Sequence, residues 1–201
     1  TGEVDITKTE GIAVGDTGET IASISGNTGK KGSAFPKYTI VNDTVVADQA
    51  YYQDGRTFIE IPETVTEIGD FAFARSALTN ILIPEGVTHI GYAAFYHCEG
   101  LTDVVIPSTV VEIEPSAFAG TAWFQNWEQS ESGDFLIVGD GILLGYRGGD
   151  SIVSIPEGVK TIGADAFASH MGITKIIIPD SVETIGEGAF AGCGNLAAVE
   201  G

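Results

Sequence analysis

The residues with the chemistry to build a site are few: Cys98 and Cys193, His89, His97 and His170, the aromatic run Trp123, Phe124 and Trp127, and a large stock of carboxylates. A zinc centre made from His97, Cys98, His170 and Cys193 would have to gather ligands from distant parts of the chain. No Cys-x-x-Cys, His-x-x-x-His or EF-hand spacing supports one. A serine nucleophile lacks its Gly-x-Ser-x-Gly elbow, and neither cysteine has a Lys or Arg beside it to lower its pKa. Gly139-Asp140-Gly141 is no phosphate loop, because no helix carrying a lysine follows it. Glycoside hydrolysis would need two carboxylates within roughly 5 to 10 Å of each other in a cleft. The acidic residues are instead scattered over solvent positions. The expectation is therefore a chain without enzymatic activity, cofactor or metal.

Charge narrows the partners. Nine Lys and Arg against 28 Asp and Glu give a net charge of −19 and a pI near 4.2, the opposite of a surface that neutralises phosphates. No Lys or Arg lies between Arg75 and Arg147, where nine acidic residues fall. Nucleic acid is excluded as a partner, and no apolar run is long enough for membrane insertion. The chain begins at Thr1 with neither Met nor an apolar signal segment, which suggests a mature or trimmed protein with its signal peptide removed.

The elements that would position these residues come from a repeat. Ile-Pro recurs at Ile61-Pro62, Ile83-Pro84, Ile106-Pro107, Ile155-Pro156 and Ile178-Pro179, with spacings of 22, 23, 49 and 23. Eleven residues after each proline stands the Phe of an Ala-Phe pair: Phe73, Phe95, Phe118, Phe167 and Phe190. Valine lies three residues after each proline and isoleucine six after it. A unit of this length cannot bury its apolar face alone and must stack on copies of itself, which predicts a solenoid. Alternating pairs such as Ile81 and Ile83 predict an inward-facing strand ended by proline. The Val-x-x-Ile-Gly run predicts a second short strand, and the Ala-Phe segment a helix of one to two turns.

The two cysteines occupy the same repeat position several coils apart, and His170 takes that slot in its own unit. At a rise of about 5 Å per coil they would be on the order of 15 to 20 Å apart, beyond the roughly 7 Å limit for a bridge. Both are expected to be free and buried.

The unit closely resembles the BspA-type leucine-rich repeat, Leu-x-x-Ile-x-Ile-Pro-x-x-Val-x-x-Ile-Gly-x-x-Ala-Phe-x-x-Cys, over residues 56 to 120 and 150 to 201. The resemblance implies a right-handed leucine-rich-repeat-like β/α superhelix, rich in β-structure with short helical turns and about five to six coils. It also implies a secreted or surface-displayed protein of host-associated bacteria or protists, acting in adhesion and protein binding.

The spacing of 49 means that about 26 residues follow Phe118 as an insert. Thr121 to Gln129 predicts a Trp-bearing helix, and FLIVGDGILLGY a β-hairpin. Tyr38 to Val46 matches Phe135 to Leu143, so the chain divides into two tandem modules of one continuous solenoid. Residues 1–37 form a leader of weak structure or short strands. Residues 38–130 hold a hairpin, three coils and the helix, and residues 131–201 a hairpin, two coils and a partial sixth strand. The open C-terminal end is a self-association hazard.

The candidate binding face is the outward side of the main sheet, two and four residues before each proline: Phe58, Glu60, Asn80, Leu82, Asp103, Val105, Ile152, Lys175 and Ile177. Outward aliphatic residues are good strand formers in any case, but a contiguous apolar row also suits a partner. Trp123, Phe124 and Trp127 either pack beneath the insert or form an aromatic platform. The expected function is a non-catalytic extracellular or cell-surface module that binds host protein, other extracellular protein or glycan. The alternative is a structural spacer or self-assembly segment of a larger surface protein.

Overall fold

The computed structural model describes residues 13–14, 20–22, 39–46, 57–130 and 133–201. The rest of the leader expected over 1–37, and Tyr38, lie outside the described residues. The elements run β1 (Ala13–Val14), β2 (Thr20–Ala22), β3 (Thr39–Val41), β4 (Thr44–Val46), β5 (Glu67–Ile68), β6 (Asn80–Leu82), β7 (His89–Ile90), β8 (Asp103–Val105) and β9 (Glu112–Ile113). They continue with α1 (Ala122–Gln129), β10 (Phe135–Val138), β11 (Ile142–Tyr146), β12 (Ile152–Ser154), β13 (Thr161–Ile162), β14 (Lys175–Ile177), β15 (Thr184–Ile185) and β16 (Ala198–Glu200). The fold is a β-solenoid of about six turns with little helix.

The first three coils stack in register one repeat apart, and so do the coils from the fourth onward. β6 pairs with β8 so that Ile81 meets Val104, and β12, β14 and β16 form a parallel sheet in which Val153, Ile176 and Val199 align. The second short strands form their own ladder, Ile68 to Ile90 to Ile113 and Ile162 to Ile185. After each proline the chain turns, the Val N–H donating to the Pro carbonyl in all five units, as in Val65 to Pro62 at 3.0 Å. Inside, Phe73, Phe95 and Phe118 stack at ring distances of 5.3 and 5.1 Å. Burial of such rings, each contributing about 1.5–3 kcal/mol, is the main stabilising term of a coil.

The Ala-Phe segment is not the helix of one to two turns expected from its sequence. It is a run of turns in which alternate N–H groups do different things. Ala72, Ala74 and Ser76 donate within the coil to residues three earlier, while Phe71, Phe73 and Arg75 donate to Tyr92, Ala94 and Tyr96 of the next coil. The same alternation recurs at Ala93, Phe95 and His97. The cause is a left-handed backbone at two positions per coil: Phe71, Ala93, Ser116, Asp165 and Gly188, then Arg75, His97, Gly120, Ser169 and Gly192. An α-helix cannot include residues of positive φ, and the alternation turns half of the N–H groups outward to bind the neighbouring coil.

The two hairpins feed the second-strand ladder. β4 pairs in parallel with β5 and β11 with β13, so each hairpin stands where a preceding coil would. β3 and β4 join through Asn42 and Asp43, both of positive φ, as a two-residue hairpin turn requires. β10 and β11 join through three residues, Gly139 to Gly141. That extra residue shifts the equivalence by one from the sequence match: Val45 opposes Ile68, and its structural counterpart opposing Ile162 is Leu143, not Ile142. β1 and β2 extend the first hairpin as an antiparallel sheet.

Candidate functional site

The position three residues after each core Phe is a hydrogen-bonding slot within the stack. Cys98 Sγ donates to the Phe73 carbonyl at 2.9 Å, one coil back, and Cys193 Sγ donates to the Phe167 carbonyl at 3.0 Å. Ser76 Oγ lies 3.2 Å from Cys98 Sγ, and His170 Nδ1 is 3.1 Å from the Phe167 carbonyl. The third unit fills the slot with Thr121, whose Oγ1 donates to Phe118 O and accepts from Phe124 N, so the same hydroxyl caps α1. Sequence comparison overlooked Thr121 because it is chemically unlike cysteine; counting fourteen from Pro107 would have found it. Both cysteines are free and buried, and burial pushes the Cys98 thiol pKa up. This is the opposite of an activated nucleophile.

The histidines do not converge. His89 sits between Glu112 and Glu114, 3.2 and 3.1 Å from its two ring nitrogens, His97 is 3.6 Å from Glu99, and the His170 ring lies 5.2 Å from that of Tyr146 at a tilt of 52°. Among the described residues no group of three His, Cys, Asp or Glu side chains could hold a metal ion.

On the outward face, β6 and β8 bring Leu82 and Val105 side by side, and Asn80 beside Asp103. Phe58 and Glu60 precede them in the first unit. Phe58, Leu82 and Val105 each keep more than half of their surface exposed. On the second sheet Ile152 aligns with Lys175 and Ser154 with Ile177. Ile152 is as exposed as Phe58, Ile177 is 37% exposed, and Lys175 Nζ pairs with Glu200 at 2.7 Å. Seven of these nine residues therefore fall on two sheets, while Phe58 and Glu60 precede β6 in a segment that forms no strand. Between the two sheets lies α1, whose Trp123 N–H donates to the Leu101 carbonyl at 2.6 Å.

The aromatic residues of α1 are half-buried at that junction. Trp123 meets Phe118 edge-on at 5.1 Å and so covers the last ring of the first stack. Phe124 and Trp127 lie 5.5 Å apart over Gly145 of β11, where a Cβ would come within 3.0 Å of the Trp127 ring. Glycine is required there by close approach. Arg147 stands 5.7 Å over Trp127. The Trp127 Nε1–H is buried without a hydrogen-bond partner.

The interior divides at the same place. One cluster runs from Ile59 to Phe118 and includes Ile142, and the other begins at Leu143, the next residue of β11. In the second stack Tyr146 takes the ring position ahead of Phe167 at 5.2 Å, and Phe190 follows at 5.4 Å.

The family described as BspA type leucine rich repeat region matches residues 44–134 and 150–200, in six copies. The chain belongs to the BspA-type leucine-rich repeat family. The match takes in β4 and α1, beyond the five Ile-Pro units. The general role of such repeat proteins is binding. Among solved structures, the chain is similar to a leucine rich cell surface protein from Faecalibacterium prausnitzii, at 32% identity over 70% of this chain and 34% of that one, with a TM-score of 0.36. It is similar to the leucine rich repeat protein of T. pallidum at 24% identity over 85% and 71% of the two chains, TM-score 0.44. A leucine-rich repeat protein from Eubacterium ventriosum matches at 22% identity over 69% and 46%, TM-score 0.36. The chain spans about a third of the first of these proteins and under half of the last. No curated protein matches it. No helix among the described residues is long and apolar enough to cross a membrane.

Proposed function

We propose that this BspA-type chain is a non-catalytic extracellular or cell-surface module that binds a host protein, another extracellular protein or a glycan through the outward face of its main sheet, in adhesion or host interaction. The observation that carries this reading is the exposure of Leu82 and Val105 on one sheet, Phe58 in the coil before it, and Ile152 and Ile177 on the other sheet, since large apolar side chains held in water by a rigid ladder favour a partner that covers them. A surface location is supported by the similarity to the leucine rich cell surface protein of Faecalibacterium prausnitzii. The test is binding of the chain to an immobilised panel of extracellular matrix proteins and glycans at physiological salt. Saturable binding that is lost with Leu82→Lys and Ile177→Lys together supports the face; binding unchanged by that pair places it elsewhere.

A second reading is favoured by the last coil. Ile185 is 51% exposed where Ile68, Ile90 and Ile162 are fully buried, and Val199 is 50% exposed where its neighbour Ile176 is buried. An uncovered core layer of this kind suits a spacer or self-assembling segment of a larger surface protein. Light scattering that finds only monomer at high concentration would remove the self-assembly version.

A further inference from the structure

The join between the two stacks leaves one turn of the ladder vacant. In coil three, the positions that donate to the next coil elsewhere are Ser116, Phe118 and Gly120, and no backbone carbonyl among the described residues takes their N–H groups. Across the join, the carbonyl of Ala164 likewise receives no backbone donor, and only Ala166 is served, by Tyr146. The hairpin turn is joined to coil three by a single backbone hydrogen bond, Asp140 N–H donating to Val110 O at 2.8 Å. From there β9 and β11 part. The space between holds a cavity of about 200 Å³ floored by Phe124 and Leu144, and beside it a cleft of about 620 Å³ between the β9 edge and the segments around β13 and β15. Ile113, Glu114, Pro115 and Ala164 border both.

The lining is of one sign. Glu112, Glu114, Asp165, Glu183 and Glu187 border the two spaces and no Lys or Arg does. Glu112 and Glu114 meet His89, but Asp165, Glu183 and Glu187 make no ion pair among the described residues, and nearby Lys160 is taken by Asp140 at 2.7 Å.

We propose that this cleft binds an extended cationic peptide segment of a partner protein by strand addition. The peptide backbone accepts from the Ser116 and Phe118 N–H groups and donates to the Ala164 carbonyl. An apolar side chain enters the smaller cavity against Phe124 and Leu144, and Lys or Arg side chains at the adjacent positions lie among Glu183, Glu187 and Asp165. Alternating side chains of a strand point to opposite sides, so an apolar-basic alternation matches an apolar cavity with an acidic cleft beside it. The site is separate from the outward sheet face, and each stands without the other.

The probe is a fluorescein-labelled octapeptide of alternating Lys and Val, titrated by anisotropy into the full chain at physiological salt. A net charge of −19 attracts any polycation, so the decisive comparison is the same octapeptide with alternate amides N-methylated, which keeps the charge and removes strand pairing. Saturable binding weakened about tenfold or more by N-methylation supports the proposal; equal binding of the two peptides overturns it. Ala119→Tyr places a large side chain on the wall of the small cavity, at the position where coil two carries Tyr96. It should weaken binding, as should Glu183→Lys with Glu187→Lys, while Leu82→Lys leaves it unchanged. Loss with Leu82→Lys instead would assign the peptide to the sheet face and overturn the cleft.

Discussion

The inner coils and the last coil carry the same residues at the same repeat positions and differ in what covers them. Phe95 lies between Phe73 and Phe118 and is fully buried; Phe190 has Phe167 on one side only and is half-buried. Ile90 and Ile185 differ in the same way. A side chain's contribution in this fold is therefore set by its neighbours one repeat away, and hardly at all by its own unit. The first stack shows how the problem is met when a regular coil does not follow. Trp123 of α1 covers Phe118, and Thr121, from the slot that holds cysteine elsewhere, starts the helix that brings it there.

That contrast can be broken by truncating equivalent rings. Phe95→Ala should cost about 3–5 kcal/mol of stability, because the cavity it leaves is walled on both sides. Phe190→Ala removes a half-buried ring and should cost about 0.8–1.5 kcal/mol, half of the value for full burial. Denaturant unfolding of the two variants measures the difference, and equal losses would mean that the last coil is covered in solution. At the join, Gly145→Val should cost about 1–3 kcal/mol, because its side chain would collide with the Trp127 ring and push α1 off the hairpin. Near-ultraviolet circular dichroism of the tryptophans would register that displacement.

A smaller effect comes from pH. Cys98 is held neutral in the core with its pKa raised by burial, and Tyr146 is raised in the same way from the value of 10.0. An unfolded chain releases the thiol proton near 9.0 while the folded chain retains it, so added base favours unfolding. Stability contributed by this burial is fully present below about pH 8 and declines as pH rises through 9 and above. Cys98→Ser should flatten most of that decline.

The period, both strand sets and the inward residues were legible in the sequence, because a ladder needs the same residue at the same place in every coil; the exception is the first unit, where Ile59 and Ile61 are buried as expected but form no strand. The conformation of the Ala-Phe segment was not. Its left-handed positions hold Phe71, Ala93, Ser116 and Asp165 as well as Gly188, so no glycine signal marks them. The hairpin match was off by one because the three-residue turn absorbs a residue that alignment cannot place. The outward residues were legible as a strand face, but not their division between two sheets. That follows from α1 replacing a coil, of which the sequence shows only the spacing of 49.

The most direct test of the proposed binding face compares its two halves. Leu82→Lys with Val105→Lys alters the first sheet, and Ile152→Lys with Ile177→Lys the second; all four are exposed, so each pair should change stability by less than about 1 kcal/mol. Each pair is measured by surface plasmon resonance against whichever matrix protein or glycan binds the native chain. The account predicts that at least one pair weakens binding by tenfold or more while its unfolding curve stays in place. Native affinity in both pairs would contradict it.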